Sequence, residues 1–430
     1  MGQLSANLLA ALQKPQAKAV RILELTLPTG TYRYSSTPLL SGGVYSDRVL
    51  GWGPLERGVA KQPSLDPFET EVTLADTDQQ LSKLIESSTG HLVRNSAAVI
   101  KLACEGLASG DWFTLFSGRI EAYQQAGPLS WTVRLRPQDL PLNRESCPKP
   151  VINRSDWPNC PAENVGLRAP IIYGKHDSVS GTNAGAVPLI LVDPLAFRYL
   201  VCAGHTKAVH RVYSDGVPVA GWSAEYRTVN GRLYTCVTFT TSQDDAGVSA
   251  DVEGLESTGD GTGTLLEDPP TVLKHLLVNW IYGDWKSGAW LADSTAPVDT
   301  TTFATTFFSA RGYSCSRRFS RVRKGIDHVN EFLSSLEAKA TWTWGGRIAL
   351  LVENPAVSSI YATGLVLDGR DVQGWGLDYP TGTLIDRVDG DWLYDENADL
   401  YVQALQVRDV SLSEEAPDSV SLPWSPSYVV

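Results

Sequence analysis

The sequence is poor in the residues that catalytic and metal-binding proteins concentrate. It has six cysteines in 430 residues (Cys104, Cys147, Cys160, Cys202, Cys236 and Cys315), with no Cys-x-x-Cys pair and no Cys/His cluster. That spacing excludes a zinc knuckle and argues against a disulfide scaffold. Only Cys147 and Cys160, which flank a proline-rich stretch, raise the question of a pairing. No His-Glu-x-x-His, Gly-x-Ser-x-Gly, Walker loop or strand-to-helix Gly-x-Gly-x-x-Gly is present, which removes the corresponding hydrolase, ATPase and dinucleotide classes. No catalytic residue, cofactor or metal ligand is therefore expected, and the chain reads as a non-enzyme. Long apolar runs are also missing. The run at 187–191 is broken by Asp193-Pro194, so no stretch reaches the about 20 residues that a spanning helix needs. The apolar patch at 8–12 lacks a basic start and reads as a helix of the mature chain rather than a signal peptide. Positive charge is in deficit too. A net charge of −12 argues against tight nucleic-acid binding, which needs clustered Lys and Arg.

What is abundant points to β structure. There are 37 Gly and 25 Pro, with many Thr, Val, Tyr and Trp, the composition of strands joined by frequent turns. A short amphipathic helix is expected at 5–13, N-capped by Ser5. The alternation in Arg21-Ile22-Leu23-Glu24-Leu25-Thr26-Leu27 puts Leu23, Leu25 and Leu27 inward and opens a first hairpin. Further strands are expected at 69–74, 98–103, 113–123 and 130–135, with a short helix at 78–87 and Gly-rich loops up to Gly58. Six prolines between Pro141 and Pro170 mark a linker. Asp215-Gly216 and Asn230-Gly231 are the two strongest hairpin turns, since both residues of each need positive φ. Residues 242–267 read as an exposed loop.

The last third begins at Asp268-Pro269-Pro270, a helix start with a capping Asp and a proline in the first turn. Leu273, Leu276, Leu277 and Trp280 share one face. A second helix near Gly325 buries Ile326, Val329, Phe332, Leu333 and Leu336. It leads into a hairpin about Gly345-Gly346, read as a two-residue turn, and then strands at 364–367, 384–388 and 401–407.

Three groups of residues are candidates for binding. The basic run Arg317, Arg318, Arg321, Arg323 and Lys324, with Phe319 interleaved, is the one local positive patch. It reads as a subunit-docking edge, with a nucleic-acid contact or a solvated turn as the other readings. Trp342 and Trp344, placed on one strand face, are candidate interface or glycan aromatics, against a core-packing role. Loop carboxylates Asp386, Asp389, Asp391, Asp395, Glu396 and Asp399 lack EF-hand spacing. His205 and His210, near Cys202, fall on opposite strand faces and read as surface histidines. His275 and His328 read as packing residues on their helices.

The order of these elements resembles a known family. Asp268-Pro269-Pro270, the helix to Leu277 and Trp280, Gly312-Tyr313-Ser314, the helix to Leu336 and Trp344-Gly345-Gly346-Arg347-Ile348-Ala349-Leu350 together look like the central tail-tip and baseplate-hub proteins of long-tailed bacteriophages. Leu384-Ile385-Asp386-Arg387-Val388, Tyr394-Asp395-Glu396 and Leu422-Pro423 resemble the strands that follow in that family. Pro170-Ile171-Ile172-Tyr173-Gly174, Val187-Pro188-Leu189-Ile190-Leu191 and Val212-Tyr213-Ser214-Asp215-Gly216 resemble its preceding domain. Phe116-Ser117-Gly118-Arg119-Ile120 is similar to its N-terminal barrel. The likeness spans most of the chain, and each motif is short.

That resemblance implies an α+β, mainly β fold: barrel-like hub domains with a two-helix insertion, assembled as a trimeric ring. It implies an N-terminal helix (1–16), a first hub barrel (17–142), a proline-rich linker (143–169), a second β domain (170–266), a two-helix plus hairpin domain (267–355) and a closing β segment of the second barrel with the C-terminal tail (356–430). It implies a structural virion protein that closes the tail tube, gates passage of DNA and tape-measure protein through a negatively charged channel, and anchors host-adhesion components. Expected partners are two further copies, distal tail or adapter-ring proteins, the tape-measure protein and a central fibre or receptor-binding protein, with DNA only in transit. The expected location is the virion tail tip after assembly in the host cytoplasm. Many relatives continue into fibronectin-like modules beyond the point corresponding to Val430, so the fibre is expected on a separate protein or on further sequence. The alternative, built on 13 Trp, is a glycan-binding or glycan-cleaving β protein.

Overall fold

The structure is a computed structural model. It describes residues 5–14, 18–37, 47–55, 65, 69–86, 94–178, 185–243, 247–284, 290–305, 307–336 and 338–352, and the backbone of four later strands, 387–395, 400–408, 420–421 and 428–429. The protein is mainly β, with few helices.

The N-terminal unit is a seven-stranded antiparallel sheet. Its strands are β1 (Ala19–Leu27), β2 (Gly30–Ser35), β3 (Val49–Trp52), β4 (Thr70–Ala75), β5 (Ala97–Cys104), β6 (Phe113–Gly127) and β7 (Ser130–Arg136), in the order β2-β1-β5-β6-β7-β4-β3. The expected alternation in β1 holds: Leu23, Leu25 and Leu27 are buried. Tyr34 on one edge strand and Val49 on the other join the same core as Phe116, Ile120 and Val133. The sheet therefore curls into a half-barrel. Bulges in β6 at Ile120/Ala122 and Gln125/Gly127 supply part of the bend. A short helix, Gln80–Glu86, sends Leu81 into the same core. Asp76 holds it by accepting from the Leu81 and Ser82 amides at 2.8 and 2.9 Å, and from Trp131 Nε1 at 3.2 Å. Burial opposes that carboxylate's charge, but these donors and the Ser82 hydroxyl outweigh it, and its pKa falls below the usual range. At the N-terminus the helix Ala6–Leu12 is capped by Ser5, as expected.

The second β unit is built from two sheets. Ile190–Asp193, Arg198–Ala203, Arg232–Phe239 and Trp222–Val229 form one, in that order; Val248–Leu255 and Thr206–Ser214 lead the other. Both expected turns have two residues at positive φ, Asp215-Gly216 at 49° and 76° and Asn230-Gly231 at 48° and 75°. The segment 143–169 is packed rather than free. Glu145–Cys147 ladders with Arg323–Lys324, and Cys147, Ile152, Trp157 and Cys160 enter the core of the second unit. Cys147 and Cys160 are free thiols. The second half of 242–267 is ordered as well. Buried Glu256 accepts from the amides of Thr258, Gly261 and Gly263 at 2.7, 2.9 and 3.1 Å.

Asp268 caps the helix Pro269–His275 as expected, accepting from the Thr271 amide and hydroxyl at 3.4 and 2.7 Å. The helix then widens into a π-helix, Leu276–Tyr282, for which the sequence carried no signal. The later helix, Gly325–Ser335, buries Val329, Phe332 and Leu333. The hairpin Lys339–Trp342/Ile348–Leu351 has a longer turn than expected. Trp342 pairs with Ile348, and Thr343 meets Arg347 through two hydrogen bonds of 2.6 and 3.0 Å. Three residues, Trp344 to Gly346, therefore make the loop, with Gly346 left-handed at φ 69°.

The strand expected at 364–367, the carboxylates Asp386, Glu396 and Asp399, and Leu422-Pro423 lie outside the described residues. Arg387–Asp395, which carries Asp389, Asp391 and Asp395, pairs antiparallel with Leu400–Arg408, and Tyr428–Val429 pairs with Ser314–Cys315.

Candidate assembly surface

The basic run forms a splice between the two β units. Arg317–Phe319 ladders with Ile171–Tyr173 of the second unit, and Arg323–Lys324 ladders with Glu145–Cys147 of the segment that joins the two. Alternation along the first ladder turns Arg317 and Phe319 inward, where both are buried. The Arg317 guanidinium lies 5.1 Å from the Phe319 ring centre and 2.5 Å from Glu331 Oε1 on the second helix. The other oxygen of Glu331 takes Arg323 at 2.9 Å, so one carboxylate clamps two arginines. Half-buried Arg318 donates to the Pro188 carbonyl at 3.3 Å.

The five candidate docking residues thus separate into two sets. Arg317 and Arg318 are internal fasteners. Arg321, Arg323 and Lys324 face solvent, together with Val322 and Arg144. Residues of this second set can meet an acidic partner without unfolding anything. Glu331 was not legible as the partner of Arg317 and Arg323, because its link to Arg317 runs across a turn and a helix and follows no local spacing.

Further contacts tie the segments beside the half-barrel strands to the helices. The Ile326 amide donates to the Leu142 carbonyl at 2.8 Å, the Tyr282 hydroxyl to the Gln138 carbonyl at 2.8 Å, and the Leu65 amide to Asn330 Oδ1 at 2.9 Å. A Cβ on Gly346 would collide with the backbone carbonyl of Ser117 in β6. The Lys149 ammonium caps the π-helix by donating to the carbonyls of Ile281, at 3.0 Å, and Gly283.

The candidate aromatics do not form a platform. Trp342 is only 1% exposed and belongs to the core. Trp344 sits half-buried in the turn, beyond the end of the strand. They do not share an exposed strand face, because the strand stops at Trp342.

The histidines go to separate places. His205 stacks on Tyr226 with ring centres 3.7 Å apart, and His210 lies 3.5 Å from Glu253. Cys202 is buried in the core, and burial pushes its thiol up to about 12. Among the described residues no three His, Cys, Asp or Glu side chains form a metal-sized group. His275 is buried, 2.7 Å from the Tyr173 hydroxyl and edge-on to Trp290. Burial pushes its pKa down to about 3, so it is neutral. His328 packs against Phe319, with Nε2 3.2 Å from the Cys147 carbonyl. No helix among the described residues is long and apolar enough to cross a membrane.

Fold and surface together define a mainly β protein whose two β units are fastened through a helical layer and a basic splice. No family model matches the chain, and no curated protein matches it. Among solved structures the chain is similar to one in "Virion of native gene transfer agent (GTA) particle", at 16% identity and a TM-score of 0.26, covering 58% of this chain and 84% of that one. A likeness at that level carries no argument about role.

Proposed function

We propose that this chain is a structural, non-catalytic component of a phage-like virion, acting as the hub at the tail tip. The observation that carries the reading is the splice. The elements whose order resembles the hub family (helix, basic turn, second helix, hairpin) are the ones that fasten the half-barrel to the second β unit. A ring-forming hub needs its two β units held together, and the contacts of this layer support that reading. The outward Arg321, Arg323 and Lys324 offer a docking edge toward an acidic neighbour, which in a chain of net charge −12 includes another copy of itself. A ring would close the tail tube, let DNA and tape-measure protein pass, and anchor adhesion proteins. The glycan reading loses one of its two candidate aromatics, since a Trp342 buried in the core cannot stack on a sugar.

The test is mass and symmetry. Light scattering and negative-stain averages of the purified chain, alone and with co-expressed tail proteins, should show a three-fold ring with a central hole. A compact monomer under both conditions would sink the hub reading.

A further inference from the structure

The strand Trp222–Val229 ends its sheet. Among the described residues nothing pairs with its outer side. It runs eight residues in unbroken register with Arg232–Phe239, from Trp222↔Phe239 to Val229↔Arg232. It carries no proline, no lysine and no bulge, three of the devices by which exposed edges avoid pairing; its charges, Glu225 and Arg227, are of opposite sign. Because a two-residue turn joins Val229 to Arg232, those two form a hydrogen-bonded pair. Val229, Arg227, Glu225 and Ser223 therefore bond inward. Trp222, Ala224, Tyr226 and Thr228 present their N–H and C=O groups to the open edge.

We infer that this edge pairs with the same edge of a second copy, antiparallel and two-fold, with Tyr226 on the axis. Charge selects both the occupant and the register. With Tyr226 opposite the partner's Tyr226, Glu225 faces the partner's Arg227 and Arg227 faces the partner's Glu225. Moving the axis to position 225 sets Glu225 on the partner's Glu225; moving it to 227 sets Arg227 on the partner's Arg227. Both alternatives oppose like charges directly across the ladder, which is unfavourable. Within the strand Glu225 and Arg227 meet at 2.9 Å, and Glu225 also takes Arg198 at 3.1 Å; at 31% and 39% exposed, the two keep a solvent-facing side that a neighbour of opposite charge can share. Tyr226, at 42%, lies in the centre of the contact with His205 stacked on its ring. Ala224 then faces the partner's Thr228, and every outward backbone group between them is paired. An edge placed on its own copy is isologous and closes after two subunits.

This inference does not rest on the hub reading, and a two-fold contact cannot by itself build a three-fold ring. Sedimentation of the full chain over a concentration series should show a doubling of mass, from monomer or from trimer alike. Glu225→Arg and Arg227→Glu should each weaken the doubling about tenfold or more, since each replaces two opposite-charge contacts by two like-charge ones. Mixing the two single variants should restore it, because one then carries two arginines and the other two glutamates. Folding of each variant is checked by circular dichroism. Should either fail to fold, Thr228→Pro decides: its missing N–H faces the open edge and leaves the inner ladder intact. Wild-type protein with no doubling, or doubling that survives Thr228→Pro, overturns the edge pairing. A three-fold ring without doubling leaves the hub reading standing, and doubling without a ring does the reverse.

Discussion

Glu331 is the residue on which the splice turns. It neutralises Arg317, which has 7% of its side chain exposed, and shares its second oxygen with Arg323. Removing it leaves a guanidinium enclosed without its carboxylate. Glu331→Ala should therefore cost about 2 kcal/mol, read as a lower urea midpoint with an unchanged slope; an unchanged midpoint would show that the clamp contributes nothing. His275 sets an acid limit. Its folded pKa of about 3 lies below the ordinary 6.5, so its contribution to stability is complete above pH 6.5 and falls as the pH drops toward 3. In that window the unfolded chain binds one more proton, a slope of about 1.4 kcal/mol per pH unit at most. His275→Asn should flatten the acid branch of a stability–pH curve. A branch of unchanged slope would assign acid sensitivity to other groups.

At the scale of elements, the turn at Trp344 to Gly346 couples the hairpin to the half-barrel. Gly346→Ala meets both a positive φ and the Ser117 carbonyl, and should destabilise by about 1–2 kcal/mol. The control, Gly216→Ala, has positive φ but open space around it, and should cost less; equal losses would remove the docking role of the turn. The same region shows what a sequence reveals and what it hides. Alternation made β1 legible, and the Asn-Gly pair and the capping Asp268 marked a hairpin and a helix start, because each signal lies within a few residues. Val49–Trp52, read as part of a Gly-rich loop, is a strand only because β4 lies beside it. Glu145–Cys147 and Arg323–Lys324 are too short to carry a period, and each exists because the other does. The turn has three residues rather than two because the Thr343 hydroxyl accepts from the Arg347 amide, a side-chain effect that Gly-Gly overshadows. Trp342 and Trp344 looked equivalent by spacing, and the end of the strand between them sends one into the core.

At the scale of the whole molecule, acidity is unevenly used. The outward members of the basic run sit on a protein of net charge −12, so assembly through them should weaken as salt rises. Reversing Arg321 and Lys324 to Glu should leave the melting temperature within about 2 °C, since exposed pairs contribute little, and should abolish the oligomer in light scattering. An oligomer that persists in the reversed variant would move the docking edge elsewhere.

The contacts between the helices and the first part of the chain also fix a timetable. The His328–Cys147 contact spans 181 residues of sequence, the Tyr282–Gln138 contact 144, and the Leu65–Asn330 contact 265. A ribosome adding roughly 5–20 residues per second needs about 10–40 s to cross the first of these gaps. The half-barrel therefore emerges well before the helices that cover it, and must keep its docking face from sticking to its neighbours on the polysome until the second half of the chain arrives.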